Sequence, residues 1–155
     1  MFVSNRYEFV VLRGASPDRL TDLAREITAL LPGKSARIPL DAFRSGWVTQ
    51  NGLYEEADME LSYRIGKLVA VSYIRGGYHI VMEDATTGDL DQGEMLNELI
   101  SLIRTLPVHT RIINCVLSDI VDAADIVLCD ERIDLAAPPA TSARGIVERM
   151  HAQRS

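Results

Sequence analysis

The chain has 155 residues, 47% of them hydrophobic and 25% charged, which suits one globular domain and excludes a disordered or fibrous protein. Its net charge of -6 comes without a basic stripe, which argues against nucleic acid as a partner, because phosphate backbones are held by clustered lysine and arginine. No apolar run is long enough to span a bilayer, and the opening residues MFVSNRYEFVVLRG lack the layout of an export signal, so the expectation is a cytoplasmic protein with no membrane anchor.

Short β-rich runs alternate with longer helical periods, an order that predicts βαβ units and a mostly parallel sheet. The first strand is expected over Glu8–Leu12, EFVVL, whose nearly unbroken apolar run suits a strand covered on both faces. Gly14 ends it. A helix follows, with Ser16 as N-cap, Pro17 in the first turn, and Leu20, Leu23, Ala24, Ile27, Leu30 and Leu31 at helical spacing. Pro32 and Gly33 stop it.

A short second strand, ARIPL, covers Ala36–Leu40 and leads into Asp41. The segment 42–54, with Gly46, Trp47 and Gly52, reads as a loop or broken helix. A long helix is expected over Glu55–Arg75, its buried stripe being Leu61, Ile65, Leu68, Val69 and Ser72, with Gly76 and Gly77 closing it. The third strand, YHIVM, spans Tyr78–Met82 and leads to Glu83 and Asp84. A helix over 91–106 faces the core with Met95, Leu96, Leu99, Ile100 and Ile103. The fourth strand covers Arg111–Leu117, the fifth lies within Ile126–Leu135, and a last helix over Thr141–Gln153 turns Ile146, Val147 and Met150 inward. Arg144, Arg149, His151 and Arg154 suit its solvated face and last turn.

Cys115 and Cys129 sit in apolar runs, INCVL and IVLCD, and are expected to be buried, reduced thiols; no CxxC pattern suggests zinc. His79, on a strand with apolar neighbours, reads as a satisfied core residue, and His109 has no evident partner.

The turn after the first strand carries the candidate chemistry. A phosphate-binding loop needs G-x-x-x-x-G-K-[ST] between strand and helix: backbone N–H groups curl around phosphate, the lysine meets the outer phosphates, and the hydroxyl binds Mg²⁺. The segment Gly14-Ala15-Ser16-Pro17-Asp18-Arg19-Leu20-Thr21 keeps the first glycine and the hydroxyl. Arg19 replaces the second glycine and Leu20 the lysine. Pro17 removes one N–H, and Asp18 adds negative charge. The other reading is a plain strand-to-helix turn with a good N-cap. Arg13 or Arg19 is the remaining candidate for the missing cation.

VVLRGASPDRLTDLAREI, followed by RIPLDAFRSGW, resembles the opening of the zeta-toxin-like and chloramphenicol-phosphotransferase-like P-loop kinases; IVMED and RIDLAAPPATSARGIVERM resemble their acid-ending strand and closing helix. The resemblance implies a three-layer α/β/α fold with a five-stranded mostly parallel sheet. It also implies Asp41 as general base, Arg44 at a substrate anion, Gly14, Arg19 and Thr21 as a vestigial phosphate loop, and Thr21 with Asp84 at Mg²⁺. Trp47 and Tyr54, aromatics in the loop after Asp41, are candidates for lining a substrate pocket or a protein interface. From the residues alone Asp41 reads sooner as a turn or capping residue and Arg44 as a surface ion-pair residue, while Glu83 and Asp84 read equally as turn-capping carboxylates. In such kinases a lid between the fourth and fifth strands carries arginines that clamp the transferring phosphoryl group. Here that connection, SDIVDAAD over Ser118–Asp125, has no arginine or lysine and three aspartates, so the lid is expected to be lacking.

Two independent losses lead to the expectation of a catalytically inactive kinase-like protein with no cofactor. Its expected role is interaction with another protein or regulation, and the helix over 55–75 is a candidate for homodimerisation. Two alternatives stay open. One is a small-molecule or nucleotide phosphotransferase with an atypical loop, using ATP and Mg²⁺. The other is a module that binds a small ligand in the same cleft.

Overall fold

The computed structural model describes residues 7–45, 56–85, 93–116 and 129–154. In chain order the elements are β1 (Tyr7–Gly14), α1 (Pro17–Leu30), β2 (Ser35–Pro39), α2 (Ala42–Ser45), α3 (Glu56–Arg75), β3 (His79–Ala85), α4 (Gly93–Ile103), β4 (Val108–Val116), β5 (Glu131–Asp134) and α5 (Pro139–Ala152). The five strands form one sheet in the order β2-β3-β1-β4-β5, and every pairing is parallel. Parallel neighbours require crossovers, and among the described residues α1, α3 and α4 supply them on both faces. The expected three-layer α/β/α architecture is the one observed.

Alternation along the central strands divides the core in two. Val10 and Leu12 of β1 and Val81 of β3 face α1 and α5, where they meet Leu20, Leu23, Ile27, Ile146 and Met150. Phe9 and Val11 with Ile80 and Met82 face α3 and α4, where they meet Tyr63, Ala70, Ile74, Leu96, Leu99 and Ile103. Burial on both faces is why β1 and β3 read as continuous apolar runs.

The stripe of α3 differs from expectation. Leu61 is 49% exposed and Leu68 67%, whereas Ser62, Tyr63, Ala70 and Ile74 are buried. The cause is close approach at Gly66, where an added Cβ would lie 2.4 Å from Leu40 Cδ2. Small residues let the helix settle against the end of β2, and the bulkier leucines on the neighbouring face are turned outward. Cys129 is exposed, contrary to expectation, because it lies just before β5 begins; Cys115 is buried in β4 as expected. β4 starts at Val108, earlier than Arg111, and β3 runs on to Ala85.

His79 is a satisfied core residue. Its Nδ1 accepts the Glu8 backbone N–H at 2.9 Å, and its Nε2 lies 2.8 Å from the Pro32 carbonyl oxygen. Among the described residues no helix is long and apolar enough to cross a membrane.

Candidate functional site

From β1 the chain passes through α1 to β2 on one side, and from β3 through α4 to β4 on the other. In open α/β sheets ligands bind beyond the strand carboxyl ends where connections diverge in this way. Gly14, Glu83, Asp84 and the start of α1 all lie at that edge.

The junction between β1 and α1 is short. β1 runs through Gly14 and α1 starts at Pro17, so only Ala15 and Ser16 lie between them. Ser16 is the extended N-cap, and its carbonyl accepts the Leu20 N–H at 3.0 Å. A phosphate cradle needs several successive N–H groups turned inward, commonly through glycines in left-handed conformations. Among the described residues only Gly33 and Gly77 have positive φ, and neither is here. Gly14 serves a different need: a Cβ there would lie 2.6 Å from the Cys115 carbonyl oxygen, so the glycine lets β1 end tight against β4.

With the helix started this early, the motif positions take helical roles. Leu20 is fully buried among the side chains between α1 and the sheet. Arg19 is exposed and donates from a guanidinium nitrogen to the Leu135 carbonyl at 3.2 Å, tying the start of α1 to the segment after β5. Thr21 points inward, and its hydroxyl donates to Glu83 Oε1 at 2.5 Å.

Glu83 and Asp84 belong to β3, so they are strand residues rather than turn caps. As neighbours on a strand they point to opposite faces. Glu83 lies on the α1 side with Thr21, and its other oxygen, Oε2, is 2.8 Å from Arg37 Nε of β2. That oxygen has charge compensation from Arg37 but no well-aligned hydrogen bond. Burial pushes the Glu83 carboxyl above its ordinary range, against the opposing pull of Thr21, Arg37 and Arg25. Asp84 lies on the α3 side, where Tyr63 donates its hydroxyl at 2.7 Å and Arg13 Nε lies 3.2 Å away. The structure thus brings Thr21 together with Glu83 and not with Asp84. Arg13, one candidate for a phosphate cation, is paired with Asp84 instead.

Asp41 is half-buried in the turn between β2 and α2. Arg44 lies in α2, but its side chain is outside the described residues, as are Trp47, Tyr54 and the Ser118–Asp125 connection. Sequence reasoning missed Arg37 and Tyr63. Arg37 left one faint signal, a charged residue at the centre of ARIPL. On the α3 side, a groove of about 280 Å³ between α3 and α4 is lined by Glu60, Tyr63, Lys67, Glu94, Met95 and Glu98, among others.

No family model matches the chain, and no curated protein matches it in sequence. Solved structures do match in shape. The APS kinase CysC of Mycobacterium tuberculosis, in complex with AMPPNP and APS, superposes with a TM-score of 0.69 at 16% identity, covering 94% of this chain and 98% of that one. The fold is that of a P-loop kinase. A sugar kinase from a Janibacter species gives 0.63 at 15% identity, over 94% of this chain and 95% of that one. A de novo designed PLOOP2X3 fold protein gives 0.59 at 9% identity, over 96% and 97%. Likeness at these identities concerns architecture, and a P-loop kinase fold carries no activity by itself.

The family resemblance in the sequence implies Mg²⁺ at Thr21 with Asp84. Mg²⁺ takes six oxygen ligands, largely phosphate and water in such sites. The donors here do not suit it. Glu83 is already balanced by a guanidinium, Asp84 is on the far face with its own arginine, and the turn that would present phosphate is reduced to two residues. Among the described residues no group of three or more His, Cys, Asp or Glu side chains is placed to hold a metal.

Proposed function

We propose that this chain is a P-loop-kinase-fold protein that no longer binds Mg-ATP and acts through contact with another protein. Within that fold, its motif order relates it best to the zeta-toxin-like and chloramphenicol-phosphotransferase-like group. The observation that carries the reading is Leu20. It stands where the phosphate-binding lysine would stand, and it is sealed in the core on a helix that begins at Pro17. A charge-assisted contact of the kind that lysine makes is worth roughly 1.5–3 kcal/mol, and the cradle's N–H groups are lost with it. Exposed Leu61, Leu68 and Tyr73 on α3 supply apolar surface suited to a protein partner.

Thermal melts with Mg-ATP, Mg-GTP and their diphosphates test the reading. A ligand at 100 times its Kd would stabilise by about 2.7 kcal/mol, or roughly 5–10 °C for a domain of this size. The expected shift is zero. A shift that needs both triphosphate and Mg²⁺ would favour a phosphotransferase with an atypical loop. A shift with an uncharged or singly charged metabolite, lost on Lys67→Ala, would favour the second reading, a small-ligand module, which the groove between α3 and α4 supports.

A further inference from the structure

We infer that Arg37 takes the place of the divalent cation at Glu83, so that the carboxylate end of this sheet is held by an internal guanidinium and is indifferent to metal. The inference deepens the reading of a protein without ATP and rests on it for the claim that no phosphate competes for Arg37. Glu83 is only 4% exposed, and a buried carboxylate needs a counter-charge. Thr21 supplies a hydrogen bond to one oxygen, which leaves Oε2 to be compensated. Arg37 Nε approaches that oxygen to 2.8 Å from the neighbouring strand, where the register places Pro39 beside Glu83 and Arg37 two residues before it, on the same face. A guanidinium fixed there repels a dication from the same oxygen. The arrangement trades an exchangeable ion for one encoded in β2. On the opposite face Arg13 stands against Asp84 in the same manner, so both carboxylates at the end of β3 are matched by arginines from the two flanking strands.

The test uses the full chain without nucleotide, so its outcome is independent of whether Mg-ATP binds. Melting temperatures of the wild type, Arg37→Met and Arg37→Met/Glu83→Gln are compared with and without Mn²⁺ or Mg²⁺, against a monovalent salt of equal ionic strength. The wild type is expected to show no divalent-specific shift. Arg37→Met is expected to melt about 5 °C or more lower and to regain several degrees with Mn²⁺. The double variant is expected to lose that response. Should Arg37→Met fail to fold, Arg37→Gln is read in the same way. A divalent-specific shift in the wild type, or no divalent response in either single variant, would overturn the inference.

Discussion

The Thr21 hydroxyl and the Glu83 carboxylate meet 2.5 Å apart between α1 and the carboxyl end of β3. The contact joins a helix to a strand 62 residues further along the chain. The two groups satisfy each other, and the prediction for Thr21 is structural. Thr21→Val removes a donor from a buried carboxylate and is expected to cost about 1–3 kcal/mol in urea or guanidinium denaturation. Thr21→Ser, which keeps the hydroxyl, is expected to recover most of that loss.

Leu20 sits in the core, so a lysine there would not be free to meet a phosphate. Leu20→Lys removes a fully buried side chain and inserts a charge with no partner, at an expected cost of about 3–5 kcal/mol. The variant is expected to unfold at lower denaturant and still show no stabilisation by Mg-ATP. An ordinary stability together with nucleotide binding would mean that the side chain points to the cleft and not to the core.

His79 gives the protein an acid-sensitive contact at the other end of the sheet. Burial holds its imidazole below the ordinary value, outweighing the Pro32 carbonyl and Glu8. The geometry agrees, because a proton on Nδ1 would face the Glu8 N–H that Nδ1 now accepts. A lowered folded pKa means that the folded state favours the neutral ring. The contribution is therefore complete above the unfolded value of about 6.5 and is lost as pH falls through the folded value. The urea midpoint of the wild type is expected to fall between about pH 7.5 and pH 5. The fall should be smaller in His79→Gln, whose side chain does not titrate.

Much of the architecture was legible in the residues. EFVVL announced a strand covered on both faces and YHIVM a strand, and Pro17 and Gly77 marked helix ends where the chain in fact changes direction. The burial of Leu20 was also readable, since it shares helical spacing with Leu23, Ala24 and Ile27. The partners of Glu83 and Asp84 were not readable. Arg37, Thr21, Tyr63 and Arg13 come from four separate elements, and only the strand order brings them to the end of β3. The face of α3 was misread for a related reason. Spacing ranks Leu61 and Leu68 as core, but the decisive residue is Gly66, whose lack of a side chain matters only once Leu40 is known to press against it.

On the proposed function, the β1–α1 junction does not hold a triphosphate. The most direct measurement is an NMR titration of the backbone amides of Gly14, Ala15, Ser16, Asp18, Arg19, Leu20 and Thr21 with Mg-ATP. These resonances are expected to show no change beyond that produced by salt alone. Saturable shifts confined to this junction, with Arg19 released from the Leu135 carbonyl, would contradict the proposed function.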